Sequence, residues 1–463
     1  MNEIIIVASL GILTLLAEIF NFKKLILPLV VAGLAANIVV GIMEFDLASY
    51  YNDADTLRMI ESDLYAKCFM MLLSIIALVW VLVNYNFFSD ETNQTDHLAL
   101  ILFAIVGGFC MVAYTNFVML FLGIEILSIP MYVLAGSNKR SLRSNEATLK
   151  YFLMGSFATG ILLFGITLIY GSIGSFYVYD VRMKTASVDF TITPMFTIGV
   201  VMLIAAMAFK VSSAPFHFWA PDVYSGSPTS VTSFMATFVK TAAIAAFMRL
   251  FITAFPTAIE SYKNVFFILI IASLFIGNII AVFQTNAKRL LAYSSISHVG
   301  FMLLALLCLS EATSLKSLFF YTTAYSFTTL AAFLVLKIVS ENASGDDDIS
   351  VFNGLAQRNP LLAGTMTIAL LSMAGIPPLS GFFAKYNMLF MALNHGYLWL
   401  VIIAILASLV GVYYYFKIII AMFTRNSTDS TAIPLSLLQK SLLVLLMLII
   451  ITIGWNGWVF NLI

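Results

Sequence analysis

Apolar runs of about 20 residues recur along almost the whole of this 463-residue chain. That is the length a helix needs to cross the roughly 30 Å hydrocarbon core of a bilayer. Scanned with this ruler, the sequence predicts fourteen spans, near 3–20, 25–43, 66–88, 97–113, 114–136, 144–171, 193–220, 228–254, 261–284, 290–309, 312–340, 359–395, 397–424 and 439–461. The runs are long and do not alternate, which excludes the strands of a membrane barrel. Composition agrees. Hydrophobic residues make up 61% of the chain and charged residues 10%, too few charges to cover a water-soluble fold of this size. The expected fold class is an all-α polytopic membrane protein.

Several function classes fall away at this stage. The 23 Lys+Arg balance 23 Asp+Glu, so the chain lacks the basic field that nucleic-acid binding requires. Cys68, Cys110 and Cys308 are far apart in apolar stretches and are expected to be buried free thiols rather than a metal or redox pair. No GxGxxG, P-loop, HExxH or CxxC pattern occurs. Met1–Ile6 carries neither a basic region nor a small-residue cleavage site, so the first span is expected to be retained. Trp455 and Trp458 read as an interfacial aromatic belt.

Orientation follows from loop Lys and Arg. With the N-terminus outside, the inner loops carry about twice as many of them as the outer loops, which hold Arg58, Lys67, Arg182, Lys184, Arg249, Lys263 and Lys316, and acidic residues gather in the outer loop Glu44 to Asp63. Both termini are therefore expected outside. Glu18, Lys150, Lys316 and Lys337 lie near helix ends and are expected to snorkel. Lys417, about two turns from its helix end, stays open.

Three lysines reach no loop. Lys240 is mid-span in SFMATFVKTAAIAAF, and Lys210 and Lys385 lie beside helix breakers. One carboxylate, Glu125 in LFLGIEILSIPMY, is also mid-span. Each such charge costs roughly 2.5–3.5 kcal/mol at bilayer centre, so all four must face protein or water. Structural ion pairing explains them poorly, because three lysines share one carboxylate. An ion or proton pathway is the default reading. Histidine titrates near neutral pH when unperturbed, which makes His217 and His298 relay candidates, but a hydrogen-bonded packing role stands equally open for each. His97 and His395 read as interfacial, and Ser294, Ser295 and Ser297 as relay-water or helix-packing residues.

Two interrupted helices reinforce this. The seventh span reads AFKVSSAPFHFWAPDVY, with Pro215 after Lys210, and the twelfth reads AGIPPLSGFFAKY, with Gly375, Pro377 and Pro378 before Lys385. Proline removes a backbone donor, and broken backbone at membrane depth survives only where it lines protein or water. Spans four to eight (97–254) and nine to thirteen (261–424) each have the broken helix fourth of five, and five is odd. They are therefore expected to be two inverted five-helix repeats, preceded by three N-terminal helices (1–96) and followed by a C-terminal one (425–463).

The stretches FKVSSAPFHFWAPDVYSGSPT from Phe209, NAKRLLAYSSISHVG from Asn286 and GIPPLSGFFAKY from Gly375 resemble the antiporter-like membrane subunit family of NADH-quinone oxidoreductase, respiratory complex I. The likeness covers nearly the whole chain. The first two stretches mark the wider superfamily, which includes subunits of multisubunit sodium/proton antiporters. The third is more discriminating, since Lys385 stands where the M-type subunits look similar but carry Glu, and so points to the N-type. One departure, Ser225–Gly226–Ser227–Pro228 where the family commonly has an acidic residue and Gly-Ala-Pro, falls in a loop.

The resemblance implies roles. Glu125 matches a carboxylate that pairs with Lys210, Lys240 a connecting lysine, and Lys385 a terminal lysine facing the exit. It implies a bacterial inner membrane, neighbouring antiporter-like and small membrane-arm subunits as partners, and no cofactor in this chain. NADH, FMN, iron-sulfur clusters and quinone would belong to partner subunits. Lysine suits such work because burial weakens its hold on a proton and a nearby carboxylate restores it. The expected pathway is Glu125–Lys210, then Lys240, then Lys385, with quinone reduction in partner subunits as the driving force. The alternatives are a sodium/proton antiporter subunit powered by an ion gradient, and a purely structural scaffold.

Overall fold

The computed structural model describes residues 2–20, 22–45, 59–85, 94–187, 190–256, 259–309, 311–424 and 431–455. Trp458, Arg58 and most of the acidic stretch between the second and third spans lie outside the described residues. The rest is all-helical: α1 (Asn2–Ile19), α2 (Lys23–Met43), α3 (Leu64–Val83), α4 (Gln94–Ala113), α5 (Phe117–Ala135), α6 (Leu142–Ile173), α7 (Val178–Thr185), α8 (Pro194–Lys210), α9 (Trp219–Gly226), α10 (Thr229–Phe234), α11 (Lys240–Thr253), α12 (Ile259–Val282), α13 (Ala287–Leu307), α14 (Glu311–Asn342), α15 (Leu355–Arg358), α16 (Pro360–Ala374), α17 (Ser380–Asn394), α18 (Leu398–Thr424) and α19 (Leu437–Thr452). Each of the fourteen apolar runs contains helix. Among the described residues, eleven helices are long and apolar enough to cross a membrane, and Pro194–Lys210, Pro360–Ala374 and Leu437–Thr452 are shorter apolar helices.

The helix starts are written locally. Asp63, Asn116, Ser141, Thr193, Asn286, Asn359 and Ser436 each stand at an N-cap and accept from a backbone N–H of the first turn, satisfying donors that a helix cannot pair internally. Both interruptions fall where the prolines are. α8 ends at Lys210 and helix resumes at Trp219, while α16 ends at Ala374 and α17 begins at Ser380. Backbone freed at the first break is met by a side chain, for Ser273 Oγ accepts from Ala214 N at 2.9 Å. At the second, Gly375 closes α16 in the left-handed conformation, φ 85°. There Gly375 N and Ile376 N both donate back to Leu371 O, the usual glycine ending of a helix.

Contacts divide the chain into two compact units. One comprises Met1–Val211 and Phe238–Asn264, the other Ser212–Thr237 and Val265–Ile463. The boundaries differ from those of the two expected repeats, because the segment after the first break leaves the first unit at Ser212 and α11 rejoins it. In the first unit α6 packs along α8, α4 along α5, and α11 against α3, α4 and α8. The α6–α8 contact is close enough that a Cβ at Gly165 would lie 2.9 Å from Gly199 O and one at Gly199 3.1 Å from Gly165 O, the small-residue approach that substitutes for a hydrophobic driving force in lipid. Residues 240–251 of α11 are buried on every side, as suits an interior helix. In the second unit α14 packs on α16, α17 and α19, and α13 on α9, α14 and α17. The α13 helix is buried along nearly its whole length.

Several expected surface charges are inside. Arg249, assigned to an outer loop, lies within α11 and is 2% exposed. Lys67, also assigned outside, is buried in the first turn of α3 and donates to Glu44 O. Lys288, in the first turn of α13, is buried and pairs with Asp347 at 2.9 Å. Lys337 does not snorkel free of the protein: it is buried, 3.8 Å from Glu341. The common cause is a partner within reach, since a paired charge can stay where an unpaired one must seek water. Lys417, left open by the sequence, donates to Gln284 O at 2.8 Å just past the C-terminal end of α12, where a cation is favoured. The three cysteines are buried and free.

Candidate functional site

In the first unit, α5 carries Glu125, α8 carries Lys210 and α11 carries Lys240, while α6 lines Glu125 with Thr159. Lys210 is the last residue of α8, and it is buried because the helix stops there rather than running on to an interface. Its Nζ donates to Ser128 Oγ on α5. Glu125 lies one turn earlier on α5 and accepts from Thr159 Oγ1 of α6 at 2.7 Å. The direct Glu125–Lys210 contact implied by the family resemblance is absent: among the described residues no ion pair within 4.0 Å joins them. Glu125 is half-buried and shares a helix face with Leu122 and Ile129, 39% and 53% exposed. The carboxylate thus opens toward the side of the chain, while the ammonium is enclosed.

Lys240 opens α11 and is buried. It follows a stretch of π-helix, Met235–Val239. A widened turn of this kind often accompanies a functional residue, and no sequence signal announced it.

In the second unit, Lys385 on α17 reaches back across the break. Its Nζ donates to Ala374 O and to Ser408 Oγ, each at 3.0 Å, and lies 5.2 Å from the centroid of the Phe301 ring. Ala374 is the last residue of α16, so the ammonium sits at the negative end of a helix dipole. Among the described residues no carboxylate lies within 4.0 Å of Lys385 or of Lys210.

His298 is central to a hydroxyl cluster in the same unit. Its Nδ1 is 2.7 Å from Tyr321 Oη and its Nε2 3.3 Å from Tyr415 Oη, which in turn bonds Ser294 Oγ. Beside it is a cavity lined by His298, Tyr321, Tyr325, Thr328, Ser372 and Gly381 among others, with room for about one water molecule. Imidazole and hydroxyl groups both donate and accept, which is what proton hopping requires. His217 is also buried in this unit, beside the ring of Phe218 at 4.5 Å. Its Nδ1 has no hydrogen-bond partner among the described residues. Ser297 accepts from Asn278 at 2.7 Å, and Ser295 donates to Ala292 O.

Sequence reasoning missed the groups that hold the charges. Ser128 was findable, because it lies three residues from Glu125 on a helix and so on the same face. Thr159, Ser408, Tyr321 and Tyr415 come from other helices and carry no local signal. Among the described residues no group of three or more His, Cys, Asp or Glu is placed to hold a metal ion.

Comparison with known proteins agrees with this architecture. A family model described as NADH:quinone oxidoreductase/Mrp antiporter, transmembrane, matches residues 115–411. The NADH-quinone oxidoreductase subunit N of Cytophaga hutchinsonii is 43% identical over 458 residues, 98% of this chain and 97% of that protein. The subunit N of Flavobacterium psychrophilum is 44% identical over 433 residues, 93% of each. Among solved structures, a chain of respiratory complex I from Thermus thermophilus is similar with a TM-score of 0.82 and 30% identity, covering 98% of this chain and 96% of that one. A chain of the Mrp complex from Dietzia sp. DQ12-45-1b has a TM-score of 0.88 at 20% identity, covering 99% and 95%, a likeness of fold alone.

Proposed function

The chain belongs to the NADH:quinone oxidoreductase/Mrp antiporter family of membrane proteins, and from that membership we propose that it is a membrane-arm subunit of a NADH:quinone oxidoreductase that carries protons across a bacterial inner membrane. Glu125, Lys210, Lys240 and Lys385 are the carriers, with His298 and its tyrosines as a hydroxyl relay and His217 as a further candidate. The segments 97–254 and 261–424 act as inverted repeats with both termini on the periplasmic side. NADH, FMN, iron-sulfur clusters and quinone reside in partner subunits, which supply the energy.

One observation carries this reading. Lys210 and Lys385 are buried and bonded to neutral oxygens, with no carboxylate within 4.0 Å among the described residues. A structural ion pair would hold them differently, and a charge kept without its counter-charge in an apolar span calls for a function. The half-buried Glu125 adds a lever. At about 4 Å and an effective dielectric near 20 a carboxylate attracts an ammonium by about 4 kcal/mol, and at about 10 Å by under 2 kcal/mol. A small movement of α5 against α8 would therefore change how firmly Lys210 holds its proton. The exposed side of Glu125 also supports a neighbouring subunit there, because lipid would not solvate it.

The test that separates this from a sodium/proton antiporter is deletion of the chain. Inhibitor-sensitive NADH oxidation by the membranes is expected to disappear with sodium tolerance unchanged. Retained NADH oxidation together with lost sodium or alkali tolerance would assign the chain to an antiporter instead.

A further inference from the structure

Arg249 is the most elaborately held charge in the first unit, and nothing in the proposed relay uses it. It lies on the same helix as Lys240, about 13 Å further along at 1.5 Å per residue. Its Nη1 donates to both carboxylate oxygens of Asp63 at 3.0 Å, and its Nε donates to Tyr114 O at 2.8 Å. The guanidinium carbon lies 5.8 Å from the Tyr65 ring centroid and 5.9 Å from that of Tyr114. Both tyrosines are tied to α11 itself, donating to Ala245 O and Ala246 O. The pair is polarised, for Arg249 is 2% exposed and Asp63 36%. Positive charge therefore faces the interior and negative charge the rim.

The backbone around the pair is laced shut. Glu61 N donates to Ala113 O, Thr115 N to Met59 O, Phe117 N to Phe176 O and Val178 N to Thr115 O. On and just after the same helix, the Phe251 and Phe255 rings meet tilted at 5.8 Å and those of Phe247 and Phe251 at 5.9 Å.

We propose that the Arg249–Asp63 pair is a proton seal that closes the Thr253 end of α11, so that a proton held by Lys240 cannot escape at that end. The proposal rests on Lys240 being a proton carrier. A proton wire needs every link to accept as well as donate. Arginine has five N–H donors, no acceptor, and does not deprotonate in proteins, so a hydrogen-bonded chain that reaches Arg249 stops there. Its inward-facing charge also repels an approaching proton, as positive charges do in pores that exclude protons. Asp63 keeps the arginine ionised in the interior at no net charge, and the Tyr65 and Tyr114 rings pack against the guanidinium.

The seal is tested in the intact oxidoreductase, reconstituted in liposomes with its quinone reaction inhibited, by imposing a potassium diffusion potential and following internal pH with a trapped dye. Arg249→Gln is expected to admit protons about tenfold faster than wild type, equivalent to a barrier lower by about 1.4 kcal/mol. Arg249→Lys also loses tightness, because lysine can release a proton. Should Arg249→Gln fail to assemble for want of a partner to Asp63, Asp63→Asn with Arg249→Gln removes both charges and should leak equally. Wild-type tightness in an assembled neutral variant overturns the proposal. So does failure of both neutral variants to assemble while Arg249→Lys assembles and stays tight, which would make the pair a folding clamp. Adding Lys240→Met to a leaking variant separates the two claims. A leak that stops supports both, whereas one that persists keeps the seal and removes Lys240 from the proton path.

Discussion

Replacing Lys210 with methionine is expected to abolish proton transfer by this subunit while the complex still assembles. Assembly should survive because methionine is unbranched, similar in reach and adaptable in packing. The substitution removes a buried charge whose hydrogen-bond partner is a neutral hydroxyl, Ser128, and the half-buried Glu125 keeps its bond from Thr159. Ser128 keeps its own bond to Ile124 O. Transfer should fail because a thioether binds no proton at physiological pH, and Glu125 then has no cation to act on. The measurement is the ratio of protons moved to electrons transferred in sealed vesicles. A wild-type ratio in an assembled Lys210→Met complex would remove Lys210 from the relay.

Gly381→Ala should have the largest effect on folding. A Cβ there would lie 1.9 Å from Ser372 O and 2.6 Å from Ser372 C. Both are backbone atoms of α16 and cannot rotate aside, so α16 and α17 must part. The same pair is pinned by Gly381 N donating to Ser372 Oγ at 3.0 Å, which parting would break. Overpacking in a close-packed interior costs about 1–3 kcal/mol and occasionally more, and a backbone-to-backbone clash belongs at the upper end. Thermal unfolding of the detergent-solubilised complex should move down, with less of this subunit retained. Gly364→Ala, on α16 where a Cβ would meet no atom within 4 Å, is the control and should behave as wild type. Equal stability of the two variants would mean that α16 and α17 do not approach as described.

How much of this was legible follows from what each signal encodes. Apolar run length and proline are local, so the helices and both breaks could be read directly. Lys210, Lys240 and Lys385 stood out because lipid is intolerant of charge. Partnerships were not legible. In a chain this apolar, hydropathy does not say which face meets protein and which meets lipid, since the two are alike. Arg249 was therefore misplaced in a loop, although its carboxylate, Asp63, was in plain view as the cap of α3. Ser408 beside Lys385 and Thr159 beside Glu125 depended on helix packing that no spacing reveals. For the same reason the exchange of Ser212–Thr237 into the second unit left no mark in the pattern of runs.

The account stands on the buried lysines acting in series, and a mutant cycle on Lys240 and Lys385 addresses that most directly. Groups that act as one unit are strongly non-additive. Proton-to-electron ratios would be compared for Lys240→Met, Lys385→Met and the double variant, each verified as assembled. The expected result is that either single change already removes this subunit's whole contribution and the double variant falls no lower. Independent, additive losses, or a wild-type ratio in either single variant, would contradict a shared path.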